Sequence, residues 1–99
     1  MMTPEEKAFR VKIFKATNDM GIGEIFIIPK VLAKYPGITK EFFIQALKEI
    51  IDLQELPPEE RAVPATWTLQ ILADKEGNDW YKVKKVRLRY FENGVPCYD

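Results

Sequence analysis

Fifteen lysines and arginines, fifteen aspartates and glutamates, and one thiol, Cys97, carry the chemistry open to this chain of 99 residues. There is no histidine. Without an imidazole the chain has no Ser–His or Cys–His nucleophile, no imidazole general base and no histidine metal ligand. A lone cysteine forms neither an internal disulfide nor a thiolate cluster, and with no histidine to activate it Cys97 reads as inert. The carboxylates form no recognisable acid–base pair. Glu59 and Glu60 follow Pro57-Pro58 in a loop, where they read as solvated or as the start of a helical turn. Gly21-Ile22-Gly23 lacks the third glycine, and the strand-before, helix-after setting, of a dinucleotide loop. These residues predict no enzyme, no cofactor and no metal site.

What remains is binding chemistry, and the charges are placed unevenly for it. The formal net charge is zero, whereas dedicated nucleic-acid binders are usually basic. Residues 49–60 hold Glu49, Asp52, Glu55, Glu59 and Glu60 with no basic residue. Residues 80–91 hold Lys82, Lys84, Lys85, Arg87 and Arg89 with no acidic one. Such a basic strand, with Trp80 nearby for base stacking, could follow a phosphate backbone. The same pattern also serves an edge strand guarded by charge against edge-to-edge pairing. A second surface is apolar: Phe42, Ile44 and Ile51 could form a protein or dimer interface. Otherwise helix 1, or the tail residues Val95, Pro96 and Tyr98, would cover them.

The elements that must position these residues are readable from caps and periodicity. Thr3-Pro4-Glu5-Glu6 is a capping box with proline in the first turn. Phe9, Ile13, Ala16 and Met20 follow at helical spacing, widened by Val11 and Phe14, which predicts helix 1 over about 4–19. Ile25 to Ile28 reads as a short strand between Gly23 and Pro29. A short helix carrying Val31, Leu32 and Tyr35 then has to stop near Lys34, before Pro36. Thr39 caps helix 3, with Ile38 and Phe43 as a hydrophobic staple and Phe43, Ala46, Leu47, Ile50 and Leu53 as the buried stripe.

Trp67, Leu69 and Ile71 alternate on one strand. Its partner runs Trp80 to Val83 and Val86 to Tyr90. The change of parity predicts a bulge at Lys84-Lys85 and the pairs Ile71–Tyr81, Leu69–Val83 and Trp67–Val86. In that arrangement Lys82, Arg87 and Arg89 point to one side. Asn93-Gly94 signals a turn in the tail.

Length and composition predict one domain over 1–99, with a core of about 4–90 and a tail of 91–99. The N-terminus is unlike a signal peptide, and no apolar run approaches the roughly 20 residues of a membrane span. A soluble cytoplasmic protein is expected.

Helix, short strand, short helix, turn, helix and β-hairpin is an order that resembles the winged helix-turn-helix family over roughly residues 4–90. Ile38-Thr39 through Leu53 is similar to its recognition helix. The resemblance implies an α+β fold of three helices, a short strand and a C-terminal β-hairpin wing. It implies DNA binding, in a regulatory role, with the helix in the major groove and the wing on phosphates. Carried onto this sequence, Thr39, Lys40, Gln45 and Lys48 would meet the groove, and Lys75, Lys82, Lys84 and Lys85 the phosphates. The alternative is a winged-helix-like protein-interaction or dimerisation module, binding a protein partner or a second copy through Phe42, Ile44 and Ile51.

Overall fold

The structure, a computed structural model, describes residues 1–61, 65–92 and 95–98. In chain order it contains α1 (Pro4–Asp19), β1 (Ile25–Ile27), α2 (Ile28–Leu32), α3 (Lys40–Gln54), a 3-10 turn at Pro58–Glu60, β2 (Trp67–Leu72), β3 (Lys82–Glu92) and β4 (Val95–Tyr98). Three helices beside a small antiparallel sheet make this an α+β fold, as the sequence predicts.

Helix α1 begins where its cap requires. The Thr3 hydroxyl accepts from the Glu6 N–H at 3.1 Å, and the Glu6 carboxylate accepts from the Thr3 N–H at 2.9 Å. Two donors that the first turn would leave orphaned are thereby satisfied. The buried stripe is Phe9, Ile13 and Thr17, not the expected run through Ala16, which is exposed. Thr17 fits the interior because its hydroxyl donates to the Phe14 carbonyl one turn back, at 2.9 Å. Val11 and Phe14 do not widen this stripe; they are 69% and 39% exposed.

Helix α3 starts at the predicted cap, with the Thr39 hydroxyl accepting from the Phe42 N–H at 3.1 Å. Phe43, Ala46, Leu47 and Ile50 are buried as expected. In its last turn Gln54 is buried and Leu53 is 45% exposed, the reverse of the expected stripe. The Gln54 amide donates to the Trp67 carbonyl at 3.0 Å, so a polar side chain ties α3 to β2. Arg61 Nη1 donates to the Leu53 carbonyl at 2.7 Å, meeting an acceptor that the helix end leaves without an intrahelical partner.

The core joins Phe9 and Ile13 of α1, Ile28 of α2 and the buried face of α3 to Trp67, Leu69 and Val83 of the sheet. Tyr35, beyond the end of the short α2, meets Phe9 edge to face at 4.9 Å. Five helical residues could not hold a helix alone; the packing of Ile28, Val31 and Leu32 on the core holds α2.

Strand order is β1-β3-β2, with every pairing antiparallel. The register differs from the expectation. Ile71 lies opposite Val83, Leu69 opposite Lys85 and Trp67 opposite Arg87, without a bulge at Lys84-Lys85. The difference has one physical cause: alternation demands an apolar residue wherever β3 faces the helices, and the buried Lys85 fills one of those places. Strand β3 instead shifts register between Leu88 and Tyr90, where it leaves β2 and pairs with β4. The expected tail is therefore a strand, and its Asn93-Gly94 turn lies outside the described residues.

Candidate functional site

The uninterrupted register sorts the cations of β3 onto two faces. Val83, Lys85 and Arg87 share the helix-facing side with Leu69 and Trp67, while Lys82 and Lys84 face the other way beside Leu72, Gln70, Ile25 and Ile27. The expected grouping of Lys82 with Arg87 is therefore not formed. The Arg89 side chain lies outside the described residues.

Lys85 is 4% exposed. Its ammonium donates to the Asn18 carbonyl at 2.9 Å and to the Met20 carbonyl at 2.6 Å, both at the C-terminal end of α1. It also sits 4.4 Å from the centre of the Trp67 ring. Burial pushes its pKa down, against the opposing pull of Asp19 and Glu24. A cation at a helix C-terminus complements the partial negative charge there. Lys85 was expected on a phosphate; it is a structural lysine whose charge is used inside the protein.

The other expected nucleic-acid residues are dispersed. Thr39 and Lys40 are exposed at the start of α3, and the Thr39 hydroxyl already serves as the cap. Gln45 and Lys48 are exposed, and the Lys48 ammonium lies 5.1 Å from the centre of the Trp80 ring. Trp80, expected to offer a stacking face, thus carries a lysine already. Lys82 and Lys84 are half-buried on the sheet face turned away from α3.

Lys75 is exposed at the β2–β3 hairpin, among Asp74, Glu76 and Asp79. That hairpin is organised by a carboxylate. Asp74 accepts from the Glu76 and Asn78 N–H groups at 2.9 Å each, and from the Asn78 side-chain amide at 2.6 Å. The Asn78 side chain, followed by its N–H, holds the Asp74 pKa below the ordinary value. Gly77 takes the positive φ of 86° that closes this turn. A tip of three carboxylates around one lysine repels a phosphate backbone.

The apolar surface lies elsewhere than expected. Phe42, 6.3 Å from Phe9 between ring centres, and Ile51 are half-buried and pack against the core. Ile44 is also half-buried. The large apolar side chains exposed on the helices are instead Val11 and Phe14 of α1 and Leu53 of α3. They border a groove of about 720 Å³ between the two helices, floored by Ala46 and Ile50. Arg10 bridges it with a salt bridge to Glu49, and Lys7 and Lys15 stand on its α1 wall. The sequence shows these residues as apolar, but helical spacing assigns Leu53 to the buried stripe of α3 and Val11 and Phe14 to a widened stripe on α1, and the structure leaves all three exposed.

Among the described residues no group of acidic and thiol side chains is arranged to hold a metal ion, and no helix is long and apolar enough to cross a membrane. No family model, curated protein or solved structure matches this chain.

Proposed function

We propose that this chain is a winged-helix-like protein-interaction module whose working surface is the groove between α1 and α3. The architectural part of this reading is supported by strand order β1-β3-β2, with α3 capped by Thr39 and packed on the sheet and an extended β2–β3 hairpin as the wing. The observation that carries the functional part is the exposure of Val11, Phe14 and Leu53 around one groove. Three large apolar side chains gathered there, rimmed by charge, are the usual signature of a surface that is covered by another protein.

The test is a photo-crosslinking residue placed at Val11 in cells, with the same residue at Glu76 as the control. A protein adduct specific to position 11, and lost when Leu53 is changed to Glu, is the expected outcome. No adduct at position 11 removes the groove from the reading.

The second reading is a nucleic-acid-binding module, and the observation in its favour is the pair Lys82 and Lys84 on one sheet face. Against it stand the buried Lys85, the acidic hairpin and the separation of those lysines from the exposed face of α3.

A further inference from the structure

We infer that the partner seated in the groove between α1 and α3 is an acidic amphipathic helix of another protein. The inference rests on the reading of that groove as an interaction surface and names the chemistry of what fills it.

The walls of the groove call for a helix. On α1, Lys7, Val11, Phe14 and Lys15 stand at i, i+4, i+7 and i+8. On α3, Ala46, Glu49, Ile50 and Leu53 stand at i, i+3, i+4 and i+7. Each helix thus turns one row toward the same gap, at the spacing by which helices seat against one another. Neither α2 nor a strand lines that gap among the described residues, so its third side is open. An amphipathic helix laid there covers Val11, Phe14 and Leu53 with its own apolar residues, the usual way a helix fills a groove.

Charge decides which helix. Among the described residues the charged side chains lining the groove are Lys7, Arg10, Lys15 and Glu49. Arg10 and Glu49 form a salt bridge and so answer each other within the chain. Lys7 and Lys15 are exposed and have no carboxylate partner. They stand four residues either side of Val11, which places them about 12 Å apart along α1. The groove therefore offers two unanswered positive charges with an apolar side chain midway between them. A helix running alongside α1 matches it with two carboxylates eight residues apart and an apolar residue between. A basic helix would set like charges against both lysines, which disfavours it.

The experiment is fluorescence anisotropy of the full chain with two labelled helical peptides that share one apolar seam. One peptide carries Glu at two positions eight residues apart beside the seam; the other carries Lys there. Each is titrated with the wild type, with Lys7→Glu plus Lys15→Glu, and with Lys30→Glu plus Lys34→Glu. The last variant makes the same change of net charge away from the groove. All four positions are exposed, so unchanged circular-dichroism melts establish that both variants fold.

The expected result is that the wild type binds the Glu peptide about tenfold more tightly than the Lys peptide, two rim pairs being turned from repulsion to attraction. Lys7→Glu with Lys15→Glu reverses that order, and Lys30→Glu with Lys34→Glu keeps it. In the complex the NMR amide signals of Val11, Phe14 and Leu53 shift. No binding of either peptide overturns the inference, as does equal affinity for both or an order that the Lys7 and Lys15 changes leave alone. Phosphatidylglycerol vesicles that displace the Glu peptide and carry the protein down in sedimentation would assign the lysines to an anionic membrane and overturn it too. If the peptides fail yet position 11 still crosslinks to a polypeptide, the acidic helix is ruled out while the groove survives as an interaction surface. Failure of both removes both.

Discussion

The ammonium of Lys85 lies 4.4 Å from the centre of the Trp67 ring, so a charge from the middle of β3 rests against an aromatic of β2. The same ammonium bonds two carbonyls at the end of α1, which makes one side chain the junction of helix and sheet. Replacing it by methionine keeps most of the apolar stem and removes the donors. Lys85→Met is expected to lower stability by about 1.5–3 kcal/mol, the usual contribution of hydrogen bonds to a charged group. Urea denaturation of the two proteins measures it.

The same residue sets a pH dependence of definite sign. Burial depresses the Lys85 pKa below its ordinary 10.5. Below the folded value the desolvation cost of the ammonium is present in full, alongside the carbonyl bonds that offset it. As pH rises from there toward 10.5, the folded protein releases this proton before the unfolded chain does. The wild type therefore gains stability relative to Lys85→Met across that window. Paired denaturation curves at neutral and alkaline pH show the gain; a constant difference contradicts it.

Asp74 gives the opposite case at the hairpin. Its depressed pKa means that its contribution is present above the unfolded value of 3.8 and is lost as pH falls through the folded one. Asn78→Ala removes the first of the bonds responsible, so the carboxyl midpoint, followed by NMR, is expected to rise toward 3.8. An unmoved midpoint would assign the shift to the backbone donors alone.

Gln54 is the test of how α3 is fastened. Gln54→Leu removes the donor to the Trp67 carbonyl and is expected to cost about 1–3 kcal/mol, the usual penalty for stranding a buried polar partner. Val11→Lys and Leu53→Lys, by contrast, change exposed groove residues and are expected to alter monomer stability by no more than about 0.5 kcal/mol. Thermal melts of the three variants separate a fastening residue from surface residues.

Duplex binding decides the second functional reading. Fluorescence anisotropy with a labelled random duplex at several salt concentrations is expected to show no strong binding. Tight binding that weakens steeply with salt, and that Lys82→Glu with Lys84→Glu abolishes, would reinstate phosphate contact through the sheet face.

Much of the fold was legible because its boundaries are written in local chemistry. Thr3 with Glu6, Thr39 ahead of Phe43, and Pro36 after α2 mark starts and stops that need no tertiary information. The β3 register was not legible, because periodicity assigns residues to the interior by apolarity and Lys85 is an interior residue that is satisfied by distant carbonyls. No local pattern announces a lysine whose acceptors lie at the end of the first helix. Thr17 and Gln54 escaped for the same reason, each being buried through a hydrogen bond and not through hydrophobicity. The groove was half legible: Val11, Phe14 and Leu53 stand in the sequence as apolar residues, but only the tertiary arrangement leaves them uncovered.

The central position of β3 also dictates an order of assembly. Its pairing with β2 joins neighbours in the chain, Leu72 with Lys82, across one hairpin loop. Its pairing with β1 joins Ile25 to Lys84 and encloses α2, α3 and the whole of β2. Closing that longer loop costs roughly 1.5 kcal/mol more in chain entropy. The hairpin is thus the natural early structure, and β1 the last strand to be zipped on. Of the amides that bond β3 to β1 and to β2, those to β1 are then the first to exchange with deuterium, because the strand that arrives last is the one that opens without unfolding the rest.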